Sequence, residues 1–299
     1  MTGAFEGLPT ATVNGVSLAY REQGTGEPVV FVHGSASDLR TWEQQVPAIG
    51  AGYRAVAYSR RYARPNGDIK AGVDDQMLPH VDDLVAFLGA IDAAPAHLVG
   101  HSWGGFIALL AAIRRPEAVR SLVLLEPPVL SLFTSTPPRP LELLRLLFTR
   151  PGTALAIVKF GATAVAPAQK AYRRGGDEAA TRAFGRGVLG KASFEALTEA
   201  RRQQVRDNRA ADRAQLMGAG FPPLSDDDVR GVRAPTLLLT GDRSPAFLGR
   251  LTERLHELLP NAERAVIANA SHLMHEDNAS LVNETILGFL KRQTSRTSD

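Results

Sequence analysis

The chain of 299 residues contains no cysteine. Disulfide bonds, a thiolate nucleophile and a cysteine-ligated metal site are therefore excluded. Long apolar runs are absent as well: the longest, FIALLAAI at 106–113, falls well short of the roughly 20 residues that a membrane-spanning helix needs. The first residues, MTGAFEGLPTATVNG, lack the basic segment and apolar core of a signal peptide. We therefore expect a cytoplasmic protein that requires no membrane.

Neither sign of charge dominates, since the formal net charge is +3. The charge is nevertheless uneven: residues 131–222 carry 15 Lys and Arg against 7 Asp and Glu, and the rest carries 19 against 24. A basic segment can bind nucleic acid, but these arginines are scattered among Ala, Leu and Glu, without interleaved aromatic residues or a known nucleic-acid module. We interpret the segment as solvated helix faces and expect no nucleic-acid partner.

Two kinds of pattern alternate along the chain. Six short runs are apolar at nearly every position, as in strands buried on both faces of a parallel sheet: 28–34, 54–59, 96–102, 121–127, 234–242 and 263–270. Amphipathic helices are predicted at 79–92, 103–116, 246–260 and 280–293. Near the N-terminus, Asn14-Gly15 predicts a hairpin at an antiparallel edge. The alternation predicts an α/β fold with helices on both faces of a mostly parallel sheet.

This alternation stops between residues 129 and 231, where no strand is predicted. Helical patterns rich in Ala, Leu and Arg fill most of the segment, and the sheet pattern resumes after it. We therefore predict one core domain, formed by 1–128 and 232–299, with a helical insert at 129–231.

The most informative stretch is LVGHSWGG, residues 98–105. It contains the pattern G-x-S-x-G, centred on Ser102, with a predicted strand before it and a predicted helix after it. Glycine on both sides of the serine removes Cβ atoms that would clash in so tight a turn. The serine oxygen is then raised beside a helix N-terminus, which favours developing negative charge. The pattern therefore predicts Ser102 as a nucleophile.

With this motif in its strand–helix context, the chain resembles serine hydrolases of the α/β-hydrolase fold that carry a helical cap. The resemblance covers roughly residues 12–291. It implies an eight-stranded, mostly parallel sheet, with the insert acting as a cap or lid over the site.

The stretch FVHGSASDLRTW, residues 31–42, resembles the family's oxyanion loop. By that match, the backbone N–H groups of Ser35 and Trp103 would form the oxyanion hole, because fixed amides suit a developing oxyanion. We place Gly34 and His33 of the same loop at the substrate, although the family's histidine usually orients the loop. In the turn after the next strand, Arg60 is expected to brace a loop.

A serine needs a base that takes its proton. Of the seven histidines, His272 follows the last predicted strand, where the resemblance places the base, and it has the expected position in the order serine, acid, histidine. His275 is the alternative, since it lies one turn further on if a helix begins there.

The base in turn needs a carboxylate on its other nitrogen. The resemblance places that acid after the strand at 234–242, but the usual position holds Ser244, which we expect to cap the next helix instead. A second known place is the end of the strand after the nucleophile helix, and there the chain has Glu126. A buried carboxylate ending an apolar strand is costly without a partner, so we predict Glu126 as the acid. Asp242 remains the alternative acid.

Apolar residues of the insert are the candidates for lining a pocket: Phe133, Leu143, Leu147 and Phe160. Plain core packing is the alternative interpretation, because helical apolar stripes usually pack inside a protein.

These residues predict a hydrolase that uses no metal and no other cofactor and acts on a moderately apolar ester or lactone. The layout of Ser102, Glu126 and His272 is similar to that of lactonases of the zearalenone-hydrolase type. A C–C bond hydrolase of ring-cleavage products is the alternative reaction, and a non-catalytic ligand-binding receptor on the same fold is the alternative of another class. An epoxide hydrolase is disfavoured, because its fold relatives need a carboxylate where Ser102 stands. A homodimer is left open.

Overall fold

The computed structural model describes residues 5–297, and eight strands of that range form one sheet. Their order is β1-β2-β4-β3-β5-β6-β7-β8. The strands are β1 (Thr10–Val13), β2 (Val16–Gln23), β3 (Pro28–Val32), β4 (Arg54–Tyr58), β5 (Ala96–His101), β6 (Val119–Leu125), β7 (Thr236–Gly241) and β8 (Ala262–Ile267). The six strands β3 to β8 pair in parallel, and β2 is antiparallel to both of its neighbours. The predicted mostly parallel sheet is confirmed.

The β1–β2 hairpin turns at Asn14 and Gly15, with φ of 47° and 76°. Two central residues with positive φ define the turn type that matches the twist of antiparallel strands. The hairpin forms one edge of the sheet, as the Asn-Gly pair predicts.

Helices cover both faces of the sheet because alternate side chains of the central strands point to opposite sides. In β3, Val30 and Val32 join one apolar cluster, and Val29 and Phe31 join the other. The helices of the core are α1 (Gln45–Ile49), α2 (Met77–Ala90), α3 (Trp103–Arg114), α12 (Ala246–Leu258), α13 (Met274–Asp277) and α14 (Ala279–Thr297). Helices α2, α3 and α12 contribute to the first cluster, and α1 and α14 contribute to the second.

Between β6 and β7 the described chain contains only helices and loops. The helices are α4 (Pro140–Thr149), α5 (Pro151–Phe160), α6 (Ala166–Arg173), α7 (Asp177–Leu189), α8 (Lys191–Glu195), α9 (Glu199–Asp207), α10 (Arg209–Met217) and α11 (Asp226–Arg230), with a π-helical turn at Gly161–Val165. The division into a core and a cap domain stays a prediction. In residues 5–297 no helix combines the length and apolar character needed to cross a membrane.

Candidate active site

Ser102 stands in a strained turn between β5 and α3. Its φ is 51°, a backbone conformation that residues other than glycine rarely adopt. The turn is tight: a Cβ on Gly104 would lie 2.2 Å from the carbonyl oxygen of Val32. The backbone N–H of Ser102 donates to the Leu125 carbonyl at the end of β6, over 2.8 Å. Strand, turn and helix therefore hold the serine at the carboxyl edge of the sheet, where it is half-buried.

The loop after β3 is held from beneath by Arg60. Its guanidinium donates to the carbonyl oxygens of His33 and Gly34, over 3.0 and 2.9 Å, and lies 4.6 Å from the centre of the Trp103 ring. Burial lowers the pKa of the Arg60 guanidinium to about 10. The expected bracing role of Arg60 is thus visible in its contacts.

The same contacts orient the peptide between Gly34 and Ser35. Carbonyl and N–H of a trans peptide point in opposite directions, so the Ser35 N–H points away from Arg60. Neither Ser35 nor Trp103 has an acceptor for its backbone N–H among residues 5–297. Trp103 is the first residue of α3, whose initial N–H groups have no partner within the helix. The two predicted oxyanion donors therefore have no acceptor among the described residues; Trp103 directly follows Ser102, and the loop leading to Ser35 comes close to it at Gly34.

The structure corrects the expectation that the His33 side chain contacts the substrate. It is fully buried, its Nδ1 donates to the Gly34 carbonyl, and its Nε2 accepts from the Arg60 N–H, each over 2.9 Å. Burial lowers the pKa of His33 well below its usual range, which keeps the ring neutral. With both nitrogens engaged inside the protein, His33 orients the loop and has no polar atom left for a substrate.

Gly34 lies where only glycine fits. A Cβ at this position would be 2.9 Å from His101 Nδ1 and 3.2 Å from the Cβ of Ser102. The loop backbone therefore approaches Ser102 closely, and contact of Gly34 with a substrate stays a prediction.

His272 follows β8, and its ring is oriented by two neighbours. Its Nδ1 is 2.7 Å from Glu126 Oε2, and its backbone carbonyl accepts from His101 Nε2 over 2.8 Å. The other ring nitrogen, Nε2, is buried and has no hydrogen-bond partner among the described residues. Since His101 directly precedes Ser102, its hydrogen bond ties the base segment to the nucleophile turn. His272 therefore has one ring nitrogen, Nε2, without a hydrogen bond, and among the described residues Ser102 makes none to it.

His275, the alternative base, does not contact the acid. It is fully buried, with its Nε2 2.9 Å from Thr41 Oγ1 and its ring packed against Trp42 at a centroid distance of 4.6 Å. Burial lowers the pKa of His275 well below its usual range. It supports the His101 ring, which lies 4.4 Å away, and so acts as packing beneath the site.

Glu126 is fully buried immediately after β6 and has a φ of 46°. Its Oε1 accepts from the Gly241 N–H over 3.1 Å, and its Oε2 accepts from Ser244 Oγ over 3.0 Å in addition to His272. Three donors thus compensate the burial of the carboxylate. The strained backbone turns the side chain from its own strand toward β7, the strand that usually carries the acid.

Ser244 is a second correction, because it is not a helix cap. Pro245 occupies the cap position of α12, and the Ser244 hydroxyl donates to Glu126 instead. The residue at the usual acid position therefore binds Glu126, the predicted acid. A serine in a loop carries no pattern that could have predicted this contact.

Asp242, the alternative acid, is exposed and does not reach His272. Its two oxygens accept from the backbone N–H groups of Asn269 and Ala270, over 2.9 and 3.0 Å. These hydrogen bonds lower the pKa of the Asp242 carboxyl. Asp242 joins the ends of β7 and β8 and fixes the loop that leads to His272.

The insert contacts the oxyanion loop through α10, a link that the sequence did not predict. Ser35 Oγ donates to Gln215 Oε1 over 2.6 Å, and Gln215 Nε2 donates to the buried Asp75 over 2.7 Å. Asp75 in turn binds His80 Nε2 over 2.6 Å. The side chain of the predicted oxyanion residue is thus anchored to the insert.

The four apolar residues predicted to line a pocket have different environments. Phe133 packs against the small apolar core of the insert, and Phe160 stacks on Phe247 with ring centroids 4.1 Å apart. Leu143 is half-buried, whereas the Leu147 side chain is half exposed. The contacts of Phe133 and Phe160 are those of core packing, so a role of any of the four in substrate binding stays a prediction.

Within 5–297 no group of three or more His, Asp or Glu side chains is arranged so that it could hold a metal ion.

The family model described as the alpha/beta hydrolase family matches residues 29–285. An epoxide hydrolase of Caballeronia sordidicola is 39% identical over 124 residues, which are 41% of this chain and 37% of that protein. The match therefore spans less than half of that relative's length.

Solved structures with higher coverage are more distant in sequence. The enol-lactonase of Burkholderia xenovorans LB400 is 18% identical, with a TM-score of 0.74 over 95% of this chain and all of that one. A meta-cleavage product hydrolase of Pseudomonas fluorescens IP01 is 20% identical, with a TM-score of 0.68 over 95% and 97% of the two chains. At these identities the likeness establishes the shared fold.

Proposed function

The chain belongs to the alpha/beta hydrolase family, and from that premise we propose that it is a serine hydrolase that cleaves a carboxylic ester or a lactone. The observation that carries this proposal is the buried Glu126–His272 pair, 2.7 Å apart. His101, the residue before Ser102, binds the His272 carbonyl and so ties this pair to the strained strand–helix turn of the serine. A carboxylate on Nδ1 leaves Nε2 as the nitrogen that takes a proton.

In the proposed reaction, His272 Nε2 takes the proton of Ser102 while the serine oxygen attacks the carbonyl carbon. The carbonyl oxygen becomes negative and is stabilised by the N–H groups of Ser35 and Trp103. His272 then gives its proton to the leaving alkoxide, the C–O bond breaks, and an acyl-serine remains. A water molecule attacks the acyl carbon and loses a proton to His272, which returns it to the Ser102 oxygen as the acid is released.

The names of the relatives leave the substrate class open, because lactone and C–C bond hydrolases both share the fold. The similar protein named an epoxide hydrolase does not change the proposal. Epoxide hydrolases of this fold use a carboxylate as the nucleophile, whereas this chain has Ser102 at the corresponding position.

A substrate panel tests the proposal. We expect the wild-type chain to hydrolyse p-nitrophenyl esters or lactones and the Ser102→Ala variant to be inactive on them. Turnover of vinylogous diketo acids without ester turnover would favour the C–C reaction. If no substrate is turned over and a fluorophosphonate does not label Ser102, the alternative of a ligand-binding receptor is favoured. Ester activity that survives in the alanine variant would refute the mechanism.

A further inference from the structure

The helices α4 and α5 expose apolar side chains to solvent. Leu141, Phe148 and Leu155 are 79%, 80% and 68% exposed. Together with Leu144, Leu147 and Val158, which are about half exposed, they form what we call the α4–α5 apolar surface. Outside this surface, the described residues expose only three large apolar side chains to a similar degree, and these are scattered in the chain. Such clustering of exposed apolar side chains marks an interaction site.

Helical spacing separates the exposed residues from the buried ones. In α4, Leu141, Leu144 and Phe148 lie on one face at intervals of three and four residues, whereas Leu146 points to the other side and is buried. The buried faces of the two helices pack together through Leu146, Ala154 and Ile157. The internal packing of the insert is thus satisfied without the α4–α5 apolar surface.

The two helices are fixed to the core on the side away from the surface. Arg150, between them, makes a two-pronged ion pair with Glu257 of α12, over 3.0 and 2.6 Å. At the end of α5, Phe160 stacks on Phe247. These anchors hold the exposed residues outward, so hiding them would require α5 to leave α12.

Positive charge outnumbers negative charge within the two helices. Residues 139–159 contain Arg139, Arg145, Arg150 and Lys159, but Glu142 is their only acid. The Glu142 carboxylate accepts hydrogen bonds from the Ser135 hydroxyl and backbone N–H groups. Arg145 and Lys159 form no ion pair with any residue in 5–297, and both are exposed. The surface therefore combines apolar side chains with uncompensated positive charge.

We propose that the α4–α5 apolar surface docks onto an anionic lipid surface. Helices that lie in a lipid interface place apolar side chains among the acyl chains and keep Lys and Arg near the head groups, where negative charge attracts them. A second copy of the chain fits less well, because a two-fold contact would bring two identical, positively charged surfaces together. The docking does not depend on the proposed hydrolysis.

Vesicle flotation tests the proposal. The full chain is mixed with vesicles of phosphatidylcholine alone or with phosphatidylglycerol added, and centrifuged in a density gradient. We expect the protein to float with the vesicles that contain phosphatidylglycerol and to remain below with phosphatidylcholine alone. Leu141→Gln with Phe148→Gln should reduce the bound fraction at least tenfold. Arg145→Gln with Lys159→Gln should reduce binding and weaken its dependence on salt.

Val266→Gln is the matched control, because Val266 is 56% exposed on β8, outside the insert. It should float as the wild type does, and circular dichroism should show all variants folded. The proposal is overturned if the wild type stays below with anionic vesicles, or if the Leu141/Phe148 variant floats equally well. Sedimentation that shows a dimer lost in that variant, without vesicle binding, would assign the surface to a second copy instead.

Discussion

Replacing Glu126 by glutamine removes the charge of the proposed acid and keeps the shape of the side chain. The carboxylate faces three donors: the Gly241 N–H, the Ser244 hydroxyl and the His272 Nδ1–H. An amide has only one acceptor oxygen, so its NH2 group must face one of these donors. The change therefore weakens the orientation of His272 and also removes the negative charge beside the imidazolium that forms in the reaction.

The expected loss of kcat follows from the distance between the charges of Glu126 and His272. His272 Nδ1 and Glu126 Oε2 are 2.7 Å apart. With the charge centres roughly 4 Å apart, the attraction is about 4 kcal/mol at an effective dielectric constant of about 20. Because about 1.4 kcal/mol corresponds to a tenfold change in rate, Glu126→Gln should lower kcat by roughly a thousandfold.

Steady-state kinetics on the best ester or lactone is the assay, with Asp242→Asn as the matched control. Asp242 is exposed and only accepts backbone hydrogen bonds at the ends of β7 and β8, so this change should lower kcat less than about threefold. The reasoning is refuted if the aspartate change is the more damaging, or if Glu126→Gln retains more than a tenth of wild-type kcat.

Three further perturbations test particular contacts. Ser244→Ala removes one donor to Glu126 and should lower kcat/KM roughly tenfold, whereas Ser244→Thr should keep most activity. If the wild type and both variants have equal rates, the Ser244–Glu126 hydrogen bond has no role in the reaction. Gln215→Leu releases the Ser35 hydroxyl and should lower kcat several-fold more than it raises KM, because the oxyanion loop loses its anchor; an effect on KM alone would indicate substrate contact instead. Burial raises the pKa of Asp212 to about 6, above the 3.8 of the unfolded chain. The folded state thus keeps a proton that the unfolded state releases, and stability is lost as pH rises from about 4 to about 6. Urea unfolding gives the free energy of unfolding of Asp212→Asn and of the wild type. The variant's value relative to the wild type should rise by up to about 3 kcal/mol between pH 4 and pH 8. A difference that does not change with pH would contradict that pKa.

The fold could be predicted, and the three residues that we propose as catalytic could be singled out, because each leaves a local signal. The pattern around Ser102 requires glycines where Cβ atoms would clash. Glu126 is a charge at the end of an apolar strand, and the structure shows the three donors that compensate it. His272 follows from its place after the last strand. In each case the physical constraint acts on neighbouring residues, so a single sequence records it.

The remaining features depend on how distant segments pack. Gln215 reaches Ser35 only because α10 lies over the oxyanion loop, and helical periodicity does not tell where a helix docks. The sequence predicts Ser244 as a helix cap, because a serine followed by a proline is typical of a helix start. The same two residues also fit a loop whose serine binds Glu126. Apolar character alone does not tell which residue of α4 the packing buries: Leu146 is buried, and the neighbouring Leu147 is half exposed.

The central claim is that Ser102 is a nucleophile activated by His272. The most direct measurement is the intact mass of the protein after reaction with a fluorophosphonate, followed by peptide mapping. We expect one adduct per chain, located on Ser102, absent from Ser102→Ala and formed far more slowly in His272→Ala. A wild-type chain that takes up no adduct, or an adduct that persists in Ser102→Ala, would contradict it.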